Sequence, residues 1–122
     1  MNRVFDDEKF AALVELLAEG WRMNRFMKSL TVADDKLGKK FSNQVARFDK
    51  KLSATTETFG LEIVDFTGEE FESGLPIAPI NLADFEAEEK LFVATMLDPT
   101  IKISNSAEIV KRGAAVLRRQ SK

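Results

Sequence analysis

The residues that come closest to a chemical site are three acids, Glu69, Glu70 and Glu72, which follow a short apolar stretch. Carboxylates at this spacing can bind a hard cation such as magnesium or calcium. A specific site of that kind is typically an Asp-rich loop that supplies several oxygen ligands, and the stretch has no such loop. We therefore interpret these three side chains as solvated acids and predict no metal site.

The chain of 122 residues contains neither histidine nor cysteine. Histidine is the commonest general base and the commonest transition-metal ligand, and it activates Ser and Cys nucleophiles. The lack of cysteine excludes a disulfide framework and thiolate chemistry. Catalysis would have to rest on carboxylates, lysines or hydroxyls, so we predict a protein that is not an enzyme and needs no cofactor.

Composition indicates a well-solvated chain with enough apolar residues for a core. Hydrophobic residues make up 44% and charged residues 31%, and the formal net charge is -2. This charge argues against non-specific nucleic-acid binding by the whole chain. No apolar run approaches the roughly 18 residues of a membrane span, and the first ten residues lack the apolar centre of a signal peptide. We expect no membrane association and a cytoplasmic location.

The first third of the chain predicts one helix of about 25 residues, because its apolar residues recur at steps of three and four. Asp6 and Asp7 are suited to its N-terminus, where acidic groups face the positive end of the helix dipole. Gly20, beside Trp21, indicates either that another helix approaches closely at this position or that the helix simply tolerates a glycine there. The segment 31–35 is predicted to be a turn.

A second helix is predicted from an apolar stripe with the average spacing of a coiled coil. The stripe comprises Leu37, Phe41, Val45, Phe48, Leu52, Thr55 and Phe59. It is compatible with ordinary packing on the first helix and with self-association. Since one helical hairpin covers too little of this apolar surface, we predict a homodimeric bundle held by Phe41, Val45, Phe48 and Leu52.

The second helix is also rich in cations, namely Lys36, Lys39, Lys40, Arg47, Lys50 and Lys51. We favour a solvated face over a nucleic-acid interface, since interleaved aromatics, Gly-rich loops and zinc-finger spacings are absent, and we do not expect nucleic acid as the main partner. An adaptor or regulator that binds nucleic acid through this helix remains the alternative function. By contrast, residues 62–90 are strongly acidic.

Gly60 marks the change from helical to strand-like spacing, and we predict that it ends the second helix in the left-handed conformation. A first strand is predicted over 61–66, a turn over 68–70, and an edge or loop over 75–82, where prolines exclude a central strand. Residues 91–97 predict a central strand buried on both faces, Asp98-Pro99 ends it, and Gly113 predicts a bulge or bend. The expectation is an α+β fold with a helical dimerisation region, 1–60, and a small antiparallel sheet or part-open barrel, 61–122.

The sequence around this junction resembles the GrpE family, the nucleotide exchange factors of DnaK-type chaperones. The matching positions are Phe59, Gly60, Leu61, Glu62 and Ile63, followed after a spacer by Phe71 and Glu72. The resemblance implies a homodimeric co-chaperone that contacts a DnaK-like ATPase through its β domain. Phe71 and Glu72 are the partner-binding residues that it suggests, and Leu75 and Asp98 are added from their predicted loop positions.

Overall fold

The computed structural model describes residues 8–33, 36 and 38–120 and has the predicted α+β fold. In chain order the elements are α1 (Glu8–Ala33), α2 (Gly38–Thr58), β1 (Leu61–Val64), β2 (Ile77–Pro79), a 3₁₀ turn (Leu82–Asp84), β3 (Leu91–Asp98), β4 (Thr100–Ile103), β5 (Ile109–Lys111) and β6 (Gly113–Arg119). The chain divides into two compact units, 1–61 and 62–122. Within the described ranges, no helix has both the length and the apolar character needed to cross a membrane.

The first helix has the predicted length, 26 residues, and continues through Ala33 into the segment expected to be a turn. The proposed N-terminal acids Asp6 and Asp7 and the first residue of the α2 stripe, Leu37, lie outside the described residues.

The two helices approach each other closely at Gly20. A Cβ atom at this position would lie 3.2 Å from Leu52 Cδ1 and 3.4 Å from Phe48 Cζ. The buried residues of α1 are Phe10, Val14, Leu17, Ala18 and Asn24, and those of α2 are Val45 and Thr56. The interpretation of Gly20 as a site of close helix approach is therefore confirmed.

A polar contact joins the same two helices near their middle. Asn24 is 4% exposed, and its side-chain amide donates a hydrogen bond of 2.7 Å to Asp49. The other carboxylate oxygen of Asp49 lies 3.1 Å from the Lys28 ammonium. Sliding one helix along the other would separate these groups, so the contact fixes their alignment.

Gly60 ends the helical unit as predicted. Its φ is +69°, and its N–H donates to the Glu57 carbonyl at 2.9 Å. An added Cβ would meet no atom within 4 Å. The requirement for glycine is therefore conformational rather than steric.

The first strand, β1, is two residues shorter than predicted because Asp65 turns the chain. Its carboxylate accepts bonds from both the N–H and the hydroxyl of Thr67, at 2.9 and 2.6 Å. Gly68 follows with a φ of +91°, and Glu69 N–H donates to Phe66 O. A turn is thus present at Gly68, but it spans 66–69 rather than the predicted 68–70, because Glu70 already pairs with Phe92. An Asx-type turn at Asp65 precedes it.

The second unit is built on one long, bent hairpin. Its first arm runs through β3 and β4 and its second through β5 and β6, with Lys102 opposite Ile109 and Met96 opposite Ala115. The arms bend where Asp98-Pro99 interrupts the first, as predicted. Two three-stranded sheets result, in the orders β1-β4-β5 and β2-β6-β3.

The prediction that 91–97 forms a central strand buried on both faces is wrong. The centre of its three-stranded sheet is β6, and the other side of β3 is bonded by the short segment 68–71, which forms no strand of its own. Leu97 on β3 is 37% exposed. Only Leu91, Val93 and Met96 are buried among the seven residues. The register shift between Val93 and Thr95 inserts one extra residue, Ala94, which keeps those three side chains on one face despite their uneven spacing. A second shift after Met96 inserts Leu97.

The prediction that 75–79 lies at an edge is confirmed, although β2 pairs with β6 in parallel rather than antiparallel fashion. A tight hairpin turn would force two strands to run antiparallel, but β3, β4 and β5 lie between β2 and β6 in the chain. The long connection therefore allows these two strands to pair in parallel. Ile80 N–H bonds to Ala115 O, and the backbone groups of successive strand residues point to opposite sides. The backbone nitrogen of Pro79 therefore points away from β6, so its lack of an N–H removes no hydrogen bond between the strands. Ile77 N–H bonds to Leu75 O, and Ile77 O accepts from Arg112 at 2.7 Å.

Gly113 begins β6 where the second arm passes from one sheet to the other, so the bend, one of the two alternatives predicted for it, is confirmed, and the residue is also a site of close packing. A Cβ there would lie 2.6 Å from Met96 Cε, 2.7 Å from Thr100 Oγ1 and 2.8 Å from Asp98 O. The buried Thr100 hydroxyl accepts from Gly113 N–H at 3.1 Å and donates to Pro76 O at 2.9 Å. The bulges lie on the partner strand, β3, between Val93 and Thr95 and between Met96 and Asp98.

Candidate partner-binding surfaces

The four partner-binding residues predicted in the second unit do not form one cluster. Phe71 continues a short segment that runs along the free side of β3, where its N–H donates to Leu91 O at 2.9 Å. This pairing turns the Phe71 side chain toward the face that carries buried Leu91, and Phe71 is half-buried. Its position favours packing beneath the turn at Gly68 over direct partner contact.

Glu72 and Leu75 occupy the loop between this segment and β2. Leu75 N–H donates to Glu72 O at 3.0 Å, which closes a tight turn. Glu72 is exposed, whereas Leu75 is half-buried. Because the turn uses only the backbone of Glu72, its side chain is available to a partner.

Asp98 lies at the end of β3, where its carboxylate is 3.9 Å from the Lys111 ammonium. The strand register places Asp98 opposite Ala114, and Ala114 opposite Ala78 of β2. Residues directly opposite one another project from the same side of a sheet. Asp98 therefore belongs to the sheet face that points away from the buried Ile77, Met96 and Leu117.

The sequence reasoning missed this outer sheet face, which carries Ile80, the most exposed large apolar side chain of the described part of the second unit. The strand register places on it Ala78, Ile80, Phe92, Thr95, Asp98, Ala114, Val116 and Arg118. Ile80 is 64% exposed although it is bonded to the central strand through its N–H. The sequence alone could have indicated this face only if 77–80 had been predicted to be extended. Successive residues of a strand point to opposite faces, so Ile77 and Pro79 would then lie on one face and Ala78 and Ile80 on the other.

Asn81 fixes the chain immediately after Ile80. Its side-chain amide donates to Leu117 O at 3.0 Å, and its side-chain oxygen accepts from Leu117 N–H at 2.9 Å. The Asn81 side chain therefore continues the pairing of β2 with β6 beyond the last residue of β2. As a result, Ile80 is held against β6 by its own N–H bond to Ala115 O and by the two side-chain bonds of the next residue, Asn81.

The C-terminal end of β6 is tied down by a charged contact. Arg119 forms an ion pair with Glu89, and its guanidinium lies 5.2 Å from the centroid of the Phe85 ring. The bond from Arg119, aided by the backbone N–H of Glu86, lowers the pKa of Glu89 below its ordinary value. Gln120 adds a bond of 3.2 Å to Glu70.

The acids Glu69, Glu70 and Glu72, considered above as possible cation ligands, are exposed. Within 8–33 and 38–120, no three acidic side chains come together in a group that could hold a metal ion.

In the helical unit, the predicted dimerisation residues face α1 of the same chain to differing extents. Val45 is 4% exposed, Phe41 and Leu52 are half-buried, and Phe48 is 39% exposed. Leu52 and Phe48 both pack at Gly20. Packing on the first helix thus accounts for much of this stripe within one chain.

A second apolar stripe, on α1, has no cover within the described residues. It comprises Leu16, Met23, Phe26 and Leu30, which are 68%, 52%, 59% and 36% exposed. The steps of seven, three and four residues are those of a coiled-coil seam. On a helical projection this outer face of α1 lies nearly opposite the buried residues Val14 and Leu17.

Comparison of the chain with protein-family models, with curated proteins and with solved structures found no match.

Proposed function

We propose that this protein is a non-enzymatic, homodimeric nucleotide exchange factor of the GrpE type, which binds a DnaK-like ATPase through its second unit in the cytoplasm. The observation that carries the proposal is the outer sheet face, a rigid apolar surface centred on exposed Ile80 and anchored by Asn81. An exposed apolar patch held in place by a sheet is typical of a protein-binding site.

The resemblance to the GrpE family supports the same function. Its most restrictive residue, Gly60, has the left-handed conformation that the family's helix-to-strand junction would require. Glu72, which also matches, is exposed in a closed turn. Both are compatible with a helical unit that presents a β unit to a partner.

Exchange requires no catalytic residue. A binder that prefers the open state of a nucleotide-binding domain over its closed state shifts the equilibrium toward opening and thereby speeds nucleotide release. The size of the effect is limited by the difference in affinity between the two states. A rigid sheet face suits this task, because it binds a single shape of its partner.

The outer face of α1 supports the homodimer. Three side chains that are each more than half exposed, Leu16, Met23 and Phe26, would leave a large apolar area in water in a single chain. A second copy presents the same stripe, and an interface between identical patches closes with two-fold symmetry. In this arrangement α1 packs between its own α2 and the partner's helices.

The functional experiment measures release of labelled ADP from the cognate DnaK-like ATPase, with and without this protein. We expect acceleration by the wild type, and a loss of most of it with Ile80→Asp and with Glu72→Lys. The matched control is Glu88→Lys, which makes the same charge change at another exposed acid. Melting temperatures of all variants should stay close to that of the wild type, because each substituted side chain is exposed.

Two results would contradict the proposal. One is the absence of any acceleration by the wild type with a verified cognate ATPase. The other is full acceleration by both Ile80→Asp and Glu72→Lys, which would place the contact away from these residues.

Assembly is tested by sedimentation equilibrium at micromolar concentration. We expect a dimer for the wild type and for the control Ala11→Asp, which adds the charge at an exposed position off the stripe. Phe26→Asp should give a monomer, because the dimer would have to bury the new charge at a cost of several kcal/mol. Phe48→Asp should weaken both the dimer and the α1–α2 contact. A monomeric wild type would refute the dimer.

A further inference from the structure

The cations of α2 all lie on the side of the helix opposite its packing residues. At 100° per residue, Lys39, Lys40, Arg47, Lys50 and Lys51 fall within an arc of about 120°, and the buried Val45 lies nearly opposite its centre. We call this set the basic face of α2. Lys36, predicted in the same helix, precedes the first residue of α2, Gly38, and is not part of the set. From Lys39 to Lys51 the face extends about 18 Å along the helix axis.

No acid of α2 neutralises the middle of this face. The two acids between Gly38 and Thr58 are Asp49 and Glu57. Asp49 is turned toward α1, where it contacts Asn24 and Lys28. Glu57 lies six residues beyond the last cation, Lys51.

The cations are exposed and available to a ligand. Among the described residues, Lys39, Lys40, Arg47, Lys50 and Lys51 form no ion pair with an acidic side chain, and all five are exposed. Arg47, Lys50 and Lys51 surround a shallow, open depression whose fourth member is the small residue Ala54. Positive charge is therefore concentrated around a space that an anionic group can enter.

We propose that the basic face of α2 binds the phosphate backbone of double-stranded nucleic acid without sequence preference. A duplex presents phosphates at short, regular intervals along its length, and therefore matches a row of cations about 18 Å long better than any single anion does. Arg47, near the centre of the row, has the planar fork that binds phosphate oxygens in pairs. The face carries no aromatic side chain that could stack on bases, so its contacts are to the backbone alone.

An acidic membrane surface is the less favoured ligand. Membrane-surface helices bury an apolar side in the lipid, and here that side of α2, with Val45 and Leu52, packs on α1. The second unit, 62–122, contains eleven acidic and seven basic residues, and its net negative charge opposes binding of any polyanion. We therefore expect a weak interaction that is highly sensitive to salt.

The test is fluorescence anisotropy of a labelled 20-base-pair duplex, titrated with the full chain between 50 and 200 mM salt. If five cations each neutralise one phosphate, the logarithm of the binding constant should fall with the logarithm of salt with a slope of about -4.5, or about 500-fold over this range. The variant Arg47→Gln/Lys50→Gln/Lys51→Gln should reduce the slope to about -1.8 and weaken binding at 50 mM salt at least tenfold. Duplexes of different sequence should bind equally.

The matched control is Lys9→Gln/Lys90→Gln/Arg118→Gln, which removes the same charge at exposed positions off the face. We expect this variant to bind within about twofold of the wild type, and circular dichroism should show both triple variants folded, because no substituted side chain is buried. Equal weakening by the control would overturn the proposal, because net charge alone would then explain the binding. No binding at 50 mM salt, or binding to phosphatidylserine vesicles without binding to the duplex, would also overturn it. The assay does not depend on the exchange activity proposed above.

Discussion

Three atoms of the second unit lie so close to Gly113 that no side chain fits at this position, and Gly113→Ala tests this constraint. The added methyl group would lie 2.6 Å from Met96 Cε, 2.7 Å from Thr100 Oγ1 and 2.8 Å from Asp98 O. Contacts between such atoms are normally at least 3.4 Å, so all three neighbours must move. Met96 is fully buried, so its end must move within the core, and the Asp98 oxygen belongs to the backbone, which moves least easily.

Overpacking of a well-packed core costs about 1–3 kcal/mol. Because one of the three obstacles is backbone and the other two are buried side chains, we expect the upper part of that range, about 2–3 kcal/mol. For a unit of this size the loss corresponds to a fall in melting temperature of roughly 8–24 °C. Displacement of Thr100 would also disturb its bond from Gly113 N–H, which adds to the cost.

The assay is urea unfolding followed by far-UV circular dichroism, with fluorescence of Trp21, the single tryptophan, as a separate report on α1. Gly74→Ala is the matched control, because a Cβ there would meet no atom within 4 Å and its φ is not positive. That change should be neutral or slightly stabilising, since it reduces the freedom of the unfolded chain. A difference of less than about 0.5 kcal/mol between the two variants would refute the packing argument.

Three further predictions concern the helix end, the strand extension and the charged contact. Gly60→Val should destabilise the protein by more than about 1 kcal/mol through the positive φ alone, and an unchanged urea midpoint would contradict this. Asn81→Ala should cost about 1–3 kcal/mol and speed hydrogen exchange at the Leu117 amide, so unaltered exchange there would show that the bond is unimportant. Glu89 has a lowered pKa in the folded protein, so its stabilising effect is present above its ordinary pKa of 4.5 and is lost as the pH falls through the folded value. The difference in melting temperature between wild type and Glu89→Gln should therefore shrink below pH 4.5, and a difference independent of pH would exclude this ion pair as its source.

Local features could be predicted from the sequence because their causes lie within a few residues. The positive φ of Gly60, the turn at Gly68 and the break at Asp98-Pro99 follow from what glycine and proline permit in the backbone. The two helices likewise follow from their apolar periodicity. These features led to the correct fold class.

The candidate partner surface was only partly predictable. Glu72, chosen from the family resemblance, is exposed, whereas Phe71 pairs beside buried Leu91. The loop position predicted for Asp98 is wrong, because Asp98 is the last residue of β3 and is half-buried. Ile80 was missed because its exposure depends on a parallel pairing with β6, a strand that lies more than 30 residues away in the sequence. The exposed stripe of α1 was missed for a related reason, since α1 has apolar residues on two sides and periodicity does not indicate which of them faces α2.

The sequence by itself determined the division into a helical and a β-rich part, the helix end at Gly60, and the absence of the side chains that most often perform catalysis. Only the tertiary structure decided that β6 rather than β3 is the central strand, because strand order depends on pairing between distant segments and not on the hydrophobicity of one of them. It also decided that Gly113, which lies at the predicted bend, is required by its close packing against Met96, Thr100 and Asp98 and not by a positive φ. The helical projection gathers the α2 cations on one side, but only the packing of Val45 and Leu52 on α1 leaves that side exposed to solvent.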